Sequence, residues 1–298
     1  MRIRATVAAS LGALALTAIA VPSAQATGDS GVRSAASQAT AFAAQAGSQT
    51  AKATAFSATS AADDQVGDTA ISNVVVNGGK DVVLGTTATK TITVTFTATD
   101  NSGIDTSTGY AVLYHGTDID NSDAGAVPNQ QVGDAANCTT TSATTATCTM
   151  TFVIDPQANL ANYAAGSWKT WAIAGGKDGD YSQKENARTF SVKRYSKLTT
   201  NASPEPVVKG RTITVTGSLT RANWDTFKYA GYTNQPVKLQ FKKKGATSYS
   251  TVKTVTSSST GGLKTTVTAA YDGYWRYSFA GTSTTPAVTS VSDFVDVQ

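Results

Sequence analysis

The stretch KTITVTFTATD (90–100) decides how this chain folds. Ile92, Val94, Phe96 and Ala98 alternate with Thr91, Thr93, Thr95 and Thr97, and side chains two residues apart share one face of a strand. One face is thus apolar and the other hydroxylated, as a strand lying half-buried on a core requires. The pentapeptide TITVT returns at 212–216, 121 residues later, and Gly166-Ser167-Trp168-Lys169 is echoed by Gly273-Tyr274-Trp275-Arg276, 107 residues later. Two matches in the same order at domain-length offsets predict a tandem repeat. The offsets differ by 14, so the first copy carries extra residues, for which the Cys138–Cys148 hairpin is the natural candidate.

Working outward, CTMTFVID (148–155) places Cys148, Met150, Phe152 and Ile154 on one face. GYAVLYHG (109–116), WKTWAIA (168–174) and RTFSVKR (188–194) read as further strands between Gly, Asn and Asp turns. In GYWRYSFAG (273–281), alternation turns Trp275, Tyr277 and Phe279 inward and leaves Tyr274 and Arg276 outside, too few for a stacking platform. The expected architecture is all-β: two tandem antiparallel β-sandwiches over 68–195 and 196–298. Cys138 and Cys148 are expected to be bonded, closing a short loop.

Residues 1–26 read as a secretory signal peptide: Arg2 and Arg4, an apolar stretch from Ala5 to Val21, then Ala24-Gln25-Ala26. Residues 27–67 read as a flexible leader rich in Ala, Ser and Thr, too poor in large apolar side chains to form a core. No second apolar segment follows, so no membrane insertion is expected after cleavage. The location expected is secreted, extracellular or loosely associated with the cell wall.

The TATDNSGID segment (97–105), the late Gly-x-Trp strand and the ending FAGTSTTPAVTSVSDFVDV (279–297) resemble the tandem immunoglobulin-like sandwiches on secreted and surface proteins of Gram-positive, actinomycete-type bacteria. Gly273 and Trp275 sit where related sandwiches place the small residue and ring of the tyrosine corner; Trp replaces Tyr here, so the corner's hydrogen bond is not carried over. The resemblance implies a fold and a location, and brings no catalytic residue with it.

No catalytic constellation is legible. GDSG (28–31) is similar to the nucleophile motif of trypsin-like proteases, but Ser30 precedes the single His115 and adjoins the signal peptide. His115 has no partner visible in sequence, and the only two Glu, Glu185 and Glu205, fall in loops or linkers. No enzymatic activity and no cofactor are expected, with calcium as the one metal to weigh. Asp118, Asp120 and Asp123 in GTDIDNSDAG offer the oxygen ligands Ca²⁺ takes, although their spacing fails the EF-hand loop and Asp also favours turns. Asp178 and Asp180 in GGKDGDYS are a weaker version of the same signal.

From Thr27 to Tyr195 there are 10 Lys+Arg against 15 Asp+Glu, a net of −5; from Ser196 onward there are 12 against 5, a net of +7. VKLQFKKKG (237–245) turns Lys238 and Lys242 away from Val237, Leu239 and Phe241, and the strand carrying Lys264 would widen that basic face if it joined the same sheet. This face either attracts polyanions or is simply solvated; a nucleic-acid partner is not expected. The loop NWDTFKYAGY (223–232) breaks strand periodicity and offers Trp224, Phe227, Tyr229 and Tyr232 as stacking residues for a carbohydrate, or as a lid over the sandwich end. The reading is a non-catalytic binding or structural protein, with a cell-wall polymer, a polysaccharide or another secreted protein as partner. The alternatives are a carbohydrate-binding accessory protein or a calcium-binding surface protein.

Overall fold

The computed structural model describes residues 63–298; the signal peptide and the leader up to residue 62 lie outside the described residues. In chain order the first unit contains β1 (Asp64–Val66), β2 (Ala70–Val76), β3 (Val82–Leu84), β4 (Lys90–Thr99), β5 (Ile104–Gly116), β6 (Ser122–Ala126), β7 (Cys138–Ser142), β8 (Thr145–Ile154), β9 (Gly166–Gly176) and β10 (Tyr181–Arg194). The second contains β11 (Ser196–Leu198), β12 (Asn201–Ser203), β13 (Thr212–Asn223), β14 (Lys228–Gly231), β15 (Pro236–Lys243), β16 (Ser250–Thr256), β17 (Gly262–Thr268), β18 (Gly273–Phe279), β19 (Val288–Thr289) and β20 (Asp293–Val295).

In the first unit the sheet β2-β4-β8-β7 faces the sheet β1-β10-β9-β5-β6, and β3 pairs in parallel with β10. This is the ABED sheet over the GFC sheet of the immunoglobulin sandwich, with β6 added to the second layer. The second unit repeats the order, with β11, β12 and β17 on β13 facing β16-β15-β18-β19 and β20 on β18. It passes from β16 to β17 with no counterpart of β7. The TITVT pentapeptides lie on β4 and β13, which hold equivalent places in the two sandwiches, and Trp168 and Trp275 lie on the equivalent β9 and β18.

Alternation accounts for the cores. Ile92, Val94, Phe96 and Ala98 on β4 meet Phe152, Met150, Cys148 and Ala146 on β8, register by register, and all eight are buried. On β18 Trp275, Tyr277 and Phe279 are buried while Tyr274, Arg276 and Ser278 are half-exposed. Tyr277 is the largest polar liability in that core; its hydroxyl donates to the Val215 carbonyl at 3.0 Å, and burial pushes its pKa up to about 12.

Three findings depart from simple alternation. On β5 and β9 both faces are covered: Tyr110, Val112, Tyr114, Trp171 and Ile173 form a separate cluster closed by Ile119, Val127 and Val132 from the loops around β6. The runs YAVLY and WAIA are near-continuous because they serve two apolar layers. Residues 64–66, assigned above to the leader, form β1 against β10, since backbone pairing needs no apolar side chain. The third is Cys138–Cys148, a disulfide within one sheet between directly paired residues of β7 and β8, Cα atoms 3.9 Å apart. A Cβ on Gly109 of β5 would lie 2.0 Å from the Cys138 sulfur, so only glycine lets the second sheet pass the bond.

Candidate functional site

The long strand β13 runs through both hydrophobic cores. Its first part supplies Ile213, Val215 and Leu219 to the second core, whereas Ala222, together with Trp224 just beyond the strand, belongs to the first. An extended strand advances about 3.3 Å per residue, so Ile213 and Trp224 stand about 36 Å apart along it, enough to reach from one sandwich into the next. Trp224 is fully buried, and its indole N–H donates to the Gly85 carbonyl at 2.8 Å.

The surroundings hold that ring in one place. Asn162, in the turn before β9, donates from its backbone to Asp225 at 2.9 Å and from its side chain to Asn223 and Asp225 at 2.9 and 2.5 Å. Its side-chain oxygen accepts from the Trp224 backbone at 3.0 Å. Arg194, buried at the end of β10, donates to the Ala222 carbonyl at 2.6 Å. Burial first, then the neighbouring Arg221 guanidinium, pulls the Arg194 pKa down to about 10, which leaves it charged at neutral pH. Arg221 stacks on Tyr232 at 3.9 Å. Further backbone bonds stitch the boundary: Arg194 to Thr284, Tyr195 to Leu84 and Ala222 to Tyr195.

The four aromatic residues expected to form a stacking surface therefore do not share one. Trp224 fills the first core and Tyr232 packs on the second; burial removes both from a ligand's reach, which corrects their reading as binding residues. Tyr229 is half-buried under the Lys197 ammonium at 3.7 Å. Phe227, at φ +55°, is the one exposed ring of the four.

Nor do Asp118, Asp120 and Asp123 converge on a common cation. The Asp118 carboxylate accepts from the Asn121 backbone and side chain at 2.8 and 2.7 Å. Asp123 pairs with His115 at 2.5 Å, beside Tyr163, whose hydroxyl donates to the Asp123 carbonyl. The turn thus engages the Asp118 carboxylate, and the pairing of β5 with β6 engages that of Asp123. Among the described residues, the carboxylates that do come together are Asp68, Asp100 and Asp180, with oxygens within 4.8 Å of one another. These are the donors a hard cation takes. Asp100 is buried, which opposes its charge, but hydrogen bonds from Ser102 and Thr69 outweigh this and hold its carboxyl below the usual carboxylate range. Sequence pointed to Asp180 only weakly and to Asp68 not at all, because the three lie on separate strand ends.

The condition for a wider basic face is not met. Lys264 is on β17, which pairs with β13 in the opposite sheet, so it cannot join Lys238 and Lys242 on β15. Arg276 does join them, directly across from Gln240.

Residues 83–174 match a protein family described as a family of unknown function, DUF5707. No curated protein sequence matches the chain. Among solved structures, the N-terminal eight Ig domains of Down Syndrome Cell Adhesion Molecule are similar at 12% identity and a TM-score of 0.35, over 73% of this chain and 23% of that one. The chain thus spans about a quarter of that structure's length. The fibronectin(III)-like modules of Clostridium thermocellum CbhA are similar at 12% identity and a TM-score of 0.30, over 76% and 93%. The D00-D0 domain of intimin is similar at 13% identity and a TM-score of 0.24, over 75% and 99%.

Proposed function

We propose that this protein is a non-catalytic structural and binding module working outside the cytoplasm, in which two sandwiches act as one rigid unit. The observation that carries the reading is Trp224: a side chain of the second sandwich is part of the hydrophobic core of the first. Interfaces between domains of one chain are usually modest and polar, and permit relative motion. A buried indole fixed at both its ring and its backbone instead favours a constant orientation, which suits a spacer that presents surfaces at a set distance. The Cys138–Cys148 bond supports the location, since such bonds persist in oxidising compartments.

Fractionation of cells expressing the full chain tests the location. The protein is expected in the medium or the wall fraction, cleaved after Ala26 and with no free thiol by mass spectrometry. Accumulation of uncleaved, reduced protein in the cytoplasm would overturn the reading.

A further inference from the structure

The outward face of β15, β18 and β16 carries an ordered row of cations. Lys238 stands opposite Ser278, Gln240 opposite Arg276 and Lys242 opposite Tyr274. Lys238, Arg276 and Lys242 thus occupy three successive levels of one face, and levels two residues apart are separated by about 7 Å. Arg276 is fixed: its Nε donates to Gln240 at 2.8 Å and its guanidinium lies 3.6 Å over the Tyr249 ring. Lys242 is held between Tyr249 and Tyr274, at 5.2 and 5.0 Å from their ring centres. Among the described residues the ion pairs are His115–Asp123, Lys193–Asp81 and Lys244–Asp272; the three cations of the row have no carboxylate partner. Ordering long side chains normally opposes binding, and here stacking has already ordered two of them.

We infer that this face of the second sandwich binds a polyol phosphate, a linear phosphodiester polymer without bases. Charge complementarity calls for a polyanion, and the spacing chooses among polyanions. A phosphodiester carried on three carbons puts six bonds between successive phosphorus atoms, as many as two residues of extended polypeptide, and so also repeats at about 7 Å. Consecutive phosphates then meet consecutive cations. A uronate polymer spaces its charges by whole sugar rings and loses that register. Single-stranded nucleic acid shares the six-bond repeat but draws much of its affinity from bases stacked on open aromatic rings. Here Tyr249 lies under Arg276 and Tyr274 lies between Lys242 and Phe294. The inference does not depend on rigid coupling of the two sandwiches, since all its residues belong to the second.

The test measures binding of the full-length processed chain to synthetic poly(glycerol phosphate) as a function of salt. Three phosphate contacts give a log–log slope of about −2, so affinity is expected to fall about 20-fold between 50 and 200 mM salt. Arg276→Gln alone should reduce that fall to about sevenfold, and Lys238→Gln/Lys242→Gln/Arg276→Gln should lose at least tenfold in affinity at low salt with an unchanged melting temperature. Lys264→Gln, on the opposite sheet, should stay within twofold of the native chain. Unchanged binding by the triple variant, or an equal loss from Lys264→Gln, would overturn the inference. So would tighter binding of polygalacturonate, or of single-stranded DNA with the same number of phosphates.

Discussion

Replacing Trp224 by alanine should uncouple the two sandwiches. An aromatic side chain of this kind buries about 150–250 Å², which at about 25 cal/mol per Å² is worth about 4–6 kcal/mol, an upper figure because the unfolded chain already hides some surface. Truncation of Trp in protein cores costs about 3–5 kcal/mol, so about 4 kcal/mol is expected. For a chain of this size that lowers the midpoint by about 8–16 °C. The diagnostic feature is the shape of the calorimetric trace. The native protein should melt in one cooperative transition, because β13 serves both cores, and Trp224→Ala should melt in two. Trp224→Phe retains a ring but cannot donate to Gly85; it should cost about 1–2 kcal/mol and keep the single transition. Two transitions in the native protein, or a loss below about 1 kcal/mol in Trp224→Ala, would refute the clamp.

Removing both cysteines as Cys138→Ala/Cys148→Ala should destabilise the protein by about 2–3 kcal/mol in urea titrations, the loop-closure value for a separation of 10 residues. Gly109→Ala should cost about 1–3 kcal/mol with the bond intact and less once the cysteines are gone, because the obstruction is the Cys138 sulfur; equal costs in both backgrounds would exclude that cause. The Asp272 carboxyl is held below its ordinary range by the hydrogen bond from the Val297 backbone and by Lys244. Its contribution is therefore complete above the unfolded carboxylate pKa of about 3.9 and is lost as pH falls through the lower folded value. Asp272→Asn should flatten the acid side of the stability profile and increase amide exchange at Val297; an unaltered profile would count against the linkage.

Much of the fold was legible because alternation is a local signal. The burial of Trp275, Tyr277 and Phe279 could be read residue by residue, since neighbours on a strand must face opposite ways. The same logic left Lys264 open, because alternation gives a face but not the sheet that carries it, and that sheet is the one of β13. It also could not foresee that both faces of β5 and β9 are covered, because the second cover comes from a loop with little periodicity. The Asp118, Asp120 and Asp123 cluster was close in sequence, yet two of its carboxylates are engaged by Asn121 and His115. Asp68, Asp100 and Asp180 were far apart in sequence and meet only because β4 and β10 belong to facing sheets.

The stretch KTITVTFTATD and its echo in GRTITVTGSLT determined by themselves that this is a β-protein and which side chains point inward, because the pleat of a strand is written in every second residue. Tertiary structure decided where the aromatic side chains of NWDTFKYAGY go, and that this stretch is the hairpin between β13 and β14. Trp224 looks the same in sequence whether it faces solvent, its own sandwich or the neighbouring one, since the difference lies in where β13 ends relative to another core. That distance is set by packing between elements more than 60 residues apart, as in the bond from Trp224 to Asn162, and no local pattern encodes it.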